Sequence, residues 1–287
     1  MTRCPAMCRS IIVFLFGSVL VHPTVSVVPF FRCVDEPNPA SPVPRIVGGY
    51  GIAISALPFI CSIRQRASAA PVDDGQWNRW CGGTVLNENW LLTSAHCIFG
   101  VDIARLLVVC GLRQARTIQQ AQIKPDYVNG RKGNDLALVL LKKALVFDEN
   151  VQPIPVFDQQ MLPSNAATII GYGLTSYDEV GWQPRSLQAA LVPILSYEQC
   201  YQRLGYLAAY LTADIICTDN GVTAAGTCSG DSGGPVIIAM ERQAFNLLAI
   251  PSWTVSPCGS GPSMHTLVAS HIDWILDVIT PNLVRNK

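Results

Sequence analysis

A serine surrounded by small residues and one acid lies in the segment Thr227 to Pro235, TCSGDSGGP. Gly, Ser and Asp are the commonest turn residues, so a surface turn is one interpretation. The other is nucleophilic catalysis by Ser232. A hydroxyl is a poor nucleophile at neutral pH until a base takes its proton, so this interpretation predicts a histidine and a second acid elsewhere in the chain.

The chain offers three candidate bases after its N-terminal region, because histidine is the side chain that titrates near neutral pH. His265 and His271 lie in or beside the C-terminal segment. His96 ends the apolar segment LLTSAHC, next to a cysteine that could tether it. A structural role is the alternative for any single histidine, but this context favours His96 as the base.

The candidate for the second acid is Asp135, in GNDLALVLL. The segment after it is so apolar that its carboxylate should be buried, and a buried charge needs a partner. As a turn or cap residue this aspartate would be ordinary. As the third member it completes the order His, Asp, Ser and would hold the imidazole in one tautomer.

Many short apolar segments, broken by Gly, Pro, Asn and Asp, must position these residues. Their spacing predicts an all-β sandwich or barrel. Apolar residues at i, i+3, i+4 and i+7 predict a helix over Ser270 to Ile279 that docks by one face. A second helix is predicted around Tyr197 to Leu207.

The composition describes a globular chain of 287 residues with 20 basic and 20 acidic side chains. It has no global basic field, so neither nucleic acid nor an acidic membrane is an expected partner.

Arginines followed by the eleven-residue apolar run 11–21 predict a signal peptide over residues 1–26, since about 20 residues are needed to span a bilayer. We therefore expect a secreted protein. The proline-rich residues 27–45 predict an extended linker.

Eleven cysteines favour disulfides in an oxidising compartment. Cys4 and Cys8 would leave with the signal peptide, Cys33 lies in the linker, and the eight that remain can pair completely. This region has neither CxxC nor Cys/His clusters, so we expect no metal site.

The sequence resembles the chymotrypsin family of serine peptidases over nearly all of residues 46–287. The resemblance rests on the joint order of RIVGG at 45–49, CGGTVLNENWLLTSAHC at 81–97, NDLALVLL at 134–141, GYG at 171–173, GDSGGP at 230–235, SW at 252–253 and IDWI at 272–275. It implies two six-stranded antiparallel β-barrels with the active site between them, no cofactor, and a peptidase domain over 46–287.

The resemblance also implies roles around the nucleophile. The N–H groups of Gly230 and Ser232 would form the oxyanion hole. Asp231 would pair with the α-ammonium made when the bond between Arg45 and Ile46 is cut, so residues 27–45 would be an activation propeptide. The zymogen would need a separate trypsin-like protease as its activator.

The resemblance implies the disulfides Cys81–Cys97, Cys200–Cys217 and Cys228–Cys258. Cys61 and Cys110 are left over, both within apolar strand-like segments of the first barrel. We infer that they pair. The alternative is two buried free thiols.

The sequence departs from trypsin-like members at the specificity pocket, where Gly226 takes the position of the aspartate that receives Lys or Arg. Thr254, after Ser252 and Trp253, should narrow the pocket. Thr227 and Ser263 complete the predicted pocket residues. We expect cleavage after small to medium uncharged residues.

The segment 64–80 is longer than usual and either contacts substrate or is a solvated loop. The span after Cys110 lacks the acidic residues of a calcium loop, so no calcium is expected.

The expected partners are protein or peptide substrates, the activating protease and protein protease inhibitors, with the enzyme itself a monomer. One alternative is a secreted binding protein that keeps the fold without catalysis. Intact His96, Asp135, Ser232 and Gly230 argue against it. Another is a protease with chymotrypsin-like preference for aromatic residues.

Overall fold

The structure is a computed structural model that describes residues 46, 49–66, 77–128, 133–158, 164–174, 186–219, 225–240 and 244–280. All of them belong to the unit Val43–Lys287. The predicted signal peptide and propeptide, with Arg45 and Cys33, lie outside the described residues. In the described part, no helix has both the length and the hydropathy to cross a bilayer.

Six antiparallel strands close into a first barrel: β2 (Ile60–Arg66), β3 (Trp77–Val85), β4 (Trp90–Thr93), β5 (Leu106–Cys110), β6 (Gln114–Ile123) and β7 (Ala137–Leu141). Around the barrel their order is β2-β3-β4-β7-β6-β5. Successive side chains of a strand alternate between the inside and the outside of the barrel: along β5, Leu106, Val108 and Cys110 are buried, while Leu107 and Val109 are only partly buried.

A second set of six antiparallel strands is closed by the pairing of β8 with β9, and the short strand β1 (Tyr50–Gly51) adds to β9. The two six-stranded barrels predicted from the sequence are therefore confirmed. The strands are β8 (Ala166–Gly171), β9 (Gln188–Leu195), β10 (Ile215–Thr218), β11 (Val236–Ala239), β12 (Phe245–Thr254) and β13 (Ser263–Leu267).

Two α-helices lie near the positions that the sequence predicted. Helix α1 (Tyr197–Leu204) starts at a capping box of Ser196 and Gln199 and ends before Gly205, where a 3₁₀ turn continues to Tyr210. Helix α2 (Ile272–Ile279) begins two residues later than predicted because a 3₁₀ turn, Val268–His271, precedes it.

The segment 64–80 differs from the expectation of a loop at both of its ends. Residues 64–66 continue β2 and residues 77–80 begin β3, and the two stretches pair with each other. The middle of this segment lies outside the described residues.

A buried apolar core is shared by the two barrels and holds them together. Leu92 and Leu138 of the first barrel belong to the same buried cluster as Ile237 and Ile250 of the second, and Ile275 of α2 packs there as well. Burying each such side chain contributes roughly 1.5–3 kcal/mol. The relative placement of the two barrels is therefore fixed by packing, which a site built from both barrels requires.

Four disulfides tie the described part of the chain. One joins Cys61 to Cys110, directly opposite each other on β2 and β5 with their Cα atoms 4.3 Å apart. The others are Cys81–Cys97, Cys200–Cys217 and Cys228–Cys258.

Candidate active site

The pair formed by His96 and Asp135 lies between the barrels. His96 is in a 3₁₀ turn, Ala95–Cys97, just after β4, and Asp135 lies two residues before the start of β7. Asp135 Oδ2 is 2.8 Å from His96 Nδ1, and Oδ1 accepts the His96 main-chain N–H at 2.9 Å. The Asp135 side chain is 3% exposed and that of His96 is 31% exposed. The carboxylate is thus buried while part of the imidazole remains open to solvent.

The other two described histidines have different partners. His265 is fully buried, its Nε2 lies 2.7 Å from Thr218 Oγ1, and burial lowers the pKa of this histidine to about 3. His271 Nε2 lies 3.0 Å from Asp214 Oδ2. Of the three, His96 is the one in contact with Asp135.

Contacts from both barrels fix the turn that carries His96. The Trp80 indole donates to the Cys97 carbonyl at 2.9 Å, and the disulfide from Cys81 holds the same residue. The Ser94 hydroxyl donates to the Pro251 carbonyl of the second barrel at 2.7 Å. The imidazole is therefore carried by a turn with little freedom to move.

Ser232 lies on a turn before β11 that packs closely against β3. The Gly82 N–H donates to the Ser232 carbonyl at 2.7 Å, and a Cβ on Gly82 would come within 2.6 Å of the Gly234 backbone. Only glycine fits this approach, which explains the glycine after Cys81. Because Cys81 is bonded to Cys97, the turns that carry His96 and Ser232 are tied together within a few residues.

The Ser232 hydroxyl makes no hydrogen bond with the described residues, and neither does His96 Nε2. Catalytic hydrogen bonds are often long in a free enzyme and tighten with substrate. The N–H groups of Gly230 and Ser232 also donate to no described acceptor. Gly230 has a φ of 98°, a left-handed conformation that favours glycine. These groups are available to a bound oxygen.

Asp231 turns away from the hydroxyl into the second barrel, where it is 1% exposed. Its carboxylate accepts the Gly173 N–H at 2.7 Å and the Cys228 N–H at 2.9 Å. Burial raises the pKa of Asp231 to about 7, although the two hydrogen bonds act to lower it. A side chain on Gly171 or Gly173 would collide with this carboxylate, which accounts for the GYG motif.

Ile46 is also fully buried, within an apolar cluster that includes Ile169, Ala190 and Val236. Its carbonyl accepts the Gly49 N–H at 2.6 Å. Within the described residues no cation forms an ion pair with Asp231.

A pocket of about 180 Å³ opens beside Ser232, and none of the described residues that line it is charged. Thr254 Oγ1 lies 3.2 Å from Ser263 Oγ, which also accepts the Thr227 N–H. Gly226 and Ser263, which were also predicted for this pocket, are buried next to its lining: Gly226 precedes Thr227 in the chain, and Ser263 lies against Thr227 and Thr254. The lining residues are Thr227, Cys228, Ser229, Ser232, Pro251, Ser252, Trp253 and Thr254.

One cluster of His, Cys, Asp or Glu in the described chain is compact enough to suggest metal ligands: Cys81, His96 and Cys97. The two cysteines are joined in a disulfide. Their sulfur atoms are therefore not thiolates, the form in which cysteine binds metals.

Comparison with known proteins identifies the family of this chain. The family model described as Trypsin matches residues 46–275. Trypsin-1 of Astacus astacus is 30% identical over 245 residues, covering 80% of this chain and 98% of that protein. The chain belongs to the trypsin family.

Two further relatives are longer than this chain. Transmembrane protease serine 11G of Mus musculus is 29% identical over 234 residues, covering 74% of this chain and 55% of that protein. Serine proteinase stubble of Drosophila melanogaster is 30% identical over 258 residues, covering 84% of this chain and 32% of that protein. The chain thus matches about half of one and a third of the other.

Membership of the trypsin family confirms the resemblance to chymotrypsin-type serine peptidases, whose members act on protein substrates. The structure also reveals a contact that the sequence did not predict. Ser252 was predicted only as a pocket residue, yet its hydroxyl donates to Asp135 Oδ2 at 2.5 Å. The SW motif contained the residue but gave no sign of this bond, because the two residues are 117 positions apart.

Proposed function

We propose that this chain is a secreted serine endopeptidase, made as a zymogen, that hydrolyses peptide bonds through an acyl-enzyme. The observation that carries the proposal is the buried Asp135 carboxylate on Nδ1 of the partly exposed His96. In a trypsin-family chain that keeps GDSGGP, this pair would serve to activate Ser232.

In the acylation half of the reaction, Ser232 Oγ attacks the carbonyl carbon of the scissile bond while His96 Nε2 takes its proton. Asp135 holds the proton on Nδ1 and stabilises the imidazolium. His96 then gives the proton to the leaving amine, the C–N bond breaks, and the acyl group stays on Ser232. In the second half, water attacks the acyl carbon while His96 Nε2 takes a proton from it. The bond to Ser232 Oγ then breaks, Oγ receives that proton, and the acid product leaves.

The negative oxygen of the tetrahedral intermediate would be bound by the N–H groups of Gly230 and Ser232. Their lack of described acceptors supports this role, as does the left-handed backbone of Gly230. Loss of one such donor typically costs about 10²–10³ in rate. A variant whose residue 230 cannot adopt this left-handed conformation would therefore lose most of its activity.

Activation would follow cleavage between Arg45 and Ile46. A buried carboxylate such as that of Asp231 needs a compensating charge, and the cut would supply one as the Ile46 ammonium. Burial of both residues in the second barrel supports this pairing. An enzyme that rejects arginine could not make this cut efficiently, so a separate trypsin-like protease would act on Arg45.

The specificity that fits the pocket best is for uncharged residues before the cut, with Ala, Val and Leu preferred. Arginine would lose hydration without gaining a carboxylate among the described lining residues. Volume alone does not exclude a ring, since a cavity of about 150 Å³ can hold benzene. The discrimination against Phe and Tyr would come from Thr254, whose hydroxyl is held by Ser263 and the Pro262 carbonyl.

Secretion is supported by the apolar N-terminal run and by four disulfides, which persist in oxidising compartments.

The test compares the precursor with its Ser232→Ala and Arg45→Gln variants after treatment with trypsin, which is then blocked by a trypsin-selective inhibitor. We expect the parent and Ser232→Ala to begin at Ile46, and only the parent to hydrolyse a peptide with Ala, Val or Leu before the cut. Arg45→Gln should stay uncut and inactive. A correctly cut parent without activity, or an active Ser232→Ala, would reject the proposal.

A further inference from the structure

Asp135 lies at the apex of a tight turn with an unusual backbone. Asn134, directly before it, has a left-handed φ of 52°, and Gly133 has a φ of 71°. The Leu136 N–H donates to the Asn134 carbonyl at 2.8 Å. Asparagine tolerates this conformation better than most residues with a side chain, and the conformation persists where surrounding contacts fix it. The contact that fixes the backbone of Asn134 therefore also determines where the Asp135 side chain starts from the main chain.

The contact that fixes Asn134 comes from the second barrel. Asp214, just before β10, accepts the Asn134 N–H on Oδ2 at 2.8 Å. The same oxygen lies 3.0 Å from His271 Nε2, at the start of α2, and Oδ1 accepts the Thr212 hydroxyl at 2.5 Å. The Asp214 carbonyl accepts the Leu267 N–H at 2.7 Å. One carboxylate thus joins its own segment to the Asn134 turn and to the start of α2.

The Asp214–His271 pair is well shielded from solvent, with the side chains 13% and 6% exposed. Burial opposes ionisation of Asp214, but hydrogen bonds from His271, Thr212 and Asn134 outweigh it and hold the pKa of Asp214 below its ordinary value. Hydrogen bonds to a charged group are about twice as strong as neutral ones. They hold the Asp214 carboxylate in place, and so fix the acceptor of the Asn134 N–H.

We propose that Asp214 and His271 are a positioning pair for the triad acid, setting where Asp135 meets His96 through the N–H of Asn134. The proposal rests on the peptidase function proposed above. Asp135 would then be held from the second barrel in two ways: by Ser252 at its carboxylate and by Asp214 at the N–H of the preceding residue, Asn134. Neither Asp214 nor His271 touches the reacting atoms.

A shift of about 1 Å in a catalytic group can cost about 10²-fold in rate. We therefore expect Asp214→Ala and His271→Leu to lower kcat about 10- to 100-fold, with KM within about threefold of the parent. His271→Gln keeps an N–H donor near the Nε2 position and should recover most of kcat. The matched control is Asp219→Ala, which removes another buried aspartate of the same barrel, one paired with Arg203.

The readout that separates positioning from loss of folded protein is the pH dependence of kcat/KM, on enzyme counted by active-site titration. A displaced Asp135 stabilises the imidazolium less, so the acidic limb of the profile should move to lower pH in Asp214→Ala and His271→Leu. A merely structural role would scale activity equally at every pH.

Three results are decisive. A lower kcat with a shifted limb in Asp214→Ala or His271→Leu, absent from Asp219→Ala, supports the positioning pair. An unchanged kcat per titrated site, or an unmoved limb, overturns it while leaving the peptidase function intact. An inactive parent overturns the peptidase function itself. If Asp214→Ala does not fold, the comparison of His271→Leu with His271→Gln decides alone.

Discussion

The Ser252 hydroxyl donates a 2.5 Å hydrogen bond to Asp135 across the junction of the two barrels. The oxygen that accepts it, Oδ2, also faces His96 Nδ1, while Oδ1 accepts the His96 N–H. Both carboxylate oxygens are therefore occupied, as buried polar atoms generally are. The orientation of Asp135 thus depends on both barrels.

Ser252→Ala should lower kcat about 10- to 100-fold, because a hydrogen bond to a charged group contributes about 1.5–3 kcal/mol. Steady-state kinetics with one peptide substrate would measure it. Ser164→Ala is the matched control, since that hydroxyl bonds the main chain of Ala166 at the start of β8 and contacts neither Asp135 nor the turn of His96. Equal kcat values for Ser252→Ala and the parent would show that this bond does not contribute to catalysis.

Residue pairs that lie far apart in the sequence mark the limit of prediction at this site. His96, Asp135 and Ser232 could be selected because each lies in a recognisable short motif, and the structure brings His96 and Asp135 into contact. The Asp214–His271 pair gave no such signal, since its members are 57 residues apart and meet only through the packing of α2 on the barrel.

The fold was predictable to a similar extent. Apolar alternation indicates strands, and the family resemblance supplied their number and arrangement. Helix ends depended on local backbone detail: a 3₁₀ turn delays α2 until Ile272, and α1 stops at Gly205, which has a φ of 56°.

The uncut precursor should lose stability as pH rises from about 4 to about 7. Burial raises the pKa of Asp231 from 3.8 to about 7, so the folded chain binds more protons than the unfolded chain between these values. Its free energy of unfolding should then fall with rising pH, by up to about 1.4 kcal/mol per pH unit. Thermal unfolding midpoints of the inactive Ser232→Ala chain, uncut and cut, would measure this.

In the cut chain, an Ile46 ammonium beside Asp231 should favour the carboxylate and flatten this slope. Asp231→Asn removes the titrating group and should flatten it without any cut. Identical slopes for the cut and uncut chains would contradict the proposed ion pair.

Thr254→Gly should shift preference toward Phe and Tyr, because it removes the side chain that narrows the pocket next to Ser263. The parent should cleave best after Ala, Val or Leu and worst after Arg or Lys. Differences among apolar residues should be graded, since one methylene in a pocket is worth only about 1–3 kcal/mol. The measurement is kcat/KM over peptides that differ only at this residue. A parent that prefers Arg would refute this account of the pocket.

Replacing both Cys61 and Cys110 with alanine should lower the free energy of unfolding by about 2–4 kcal/mol, because their disulfide restricts the unfolded chain. They are 49 residues apart in the sequence and lie in neither the triad nor the pocket. Denaturant unfolding would give the loss, while kcat at 25 °C should stay within about twofold. Removal of Cys81–Cys97, which holds the turn of His96, should by contrast reduce kcat as well.

The central claim is that Ser232 is a nucleophile activated by His96. The most direct measurement treats the chain cut before Ile46 with a serine-directed phosphonate that carries an uncharged side chain, and locates the adduct by peptide mass spectrometry. We predict one adduct, on Ser232, formed in the parent but not in His96→Ala or in the uncut precursor. Labelling elsewhere, labelling that does not require His96, or a cut chain that stays unlabelled would contradict the account.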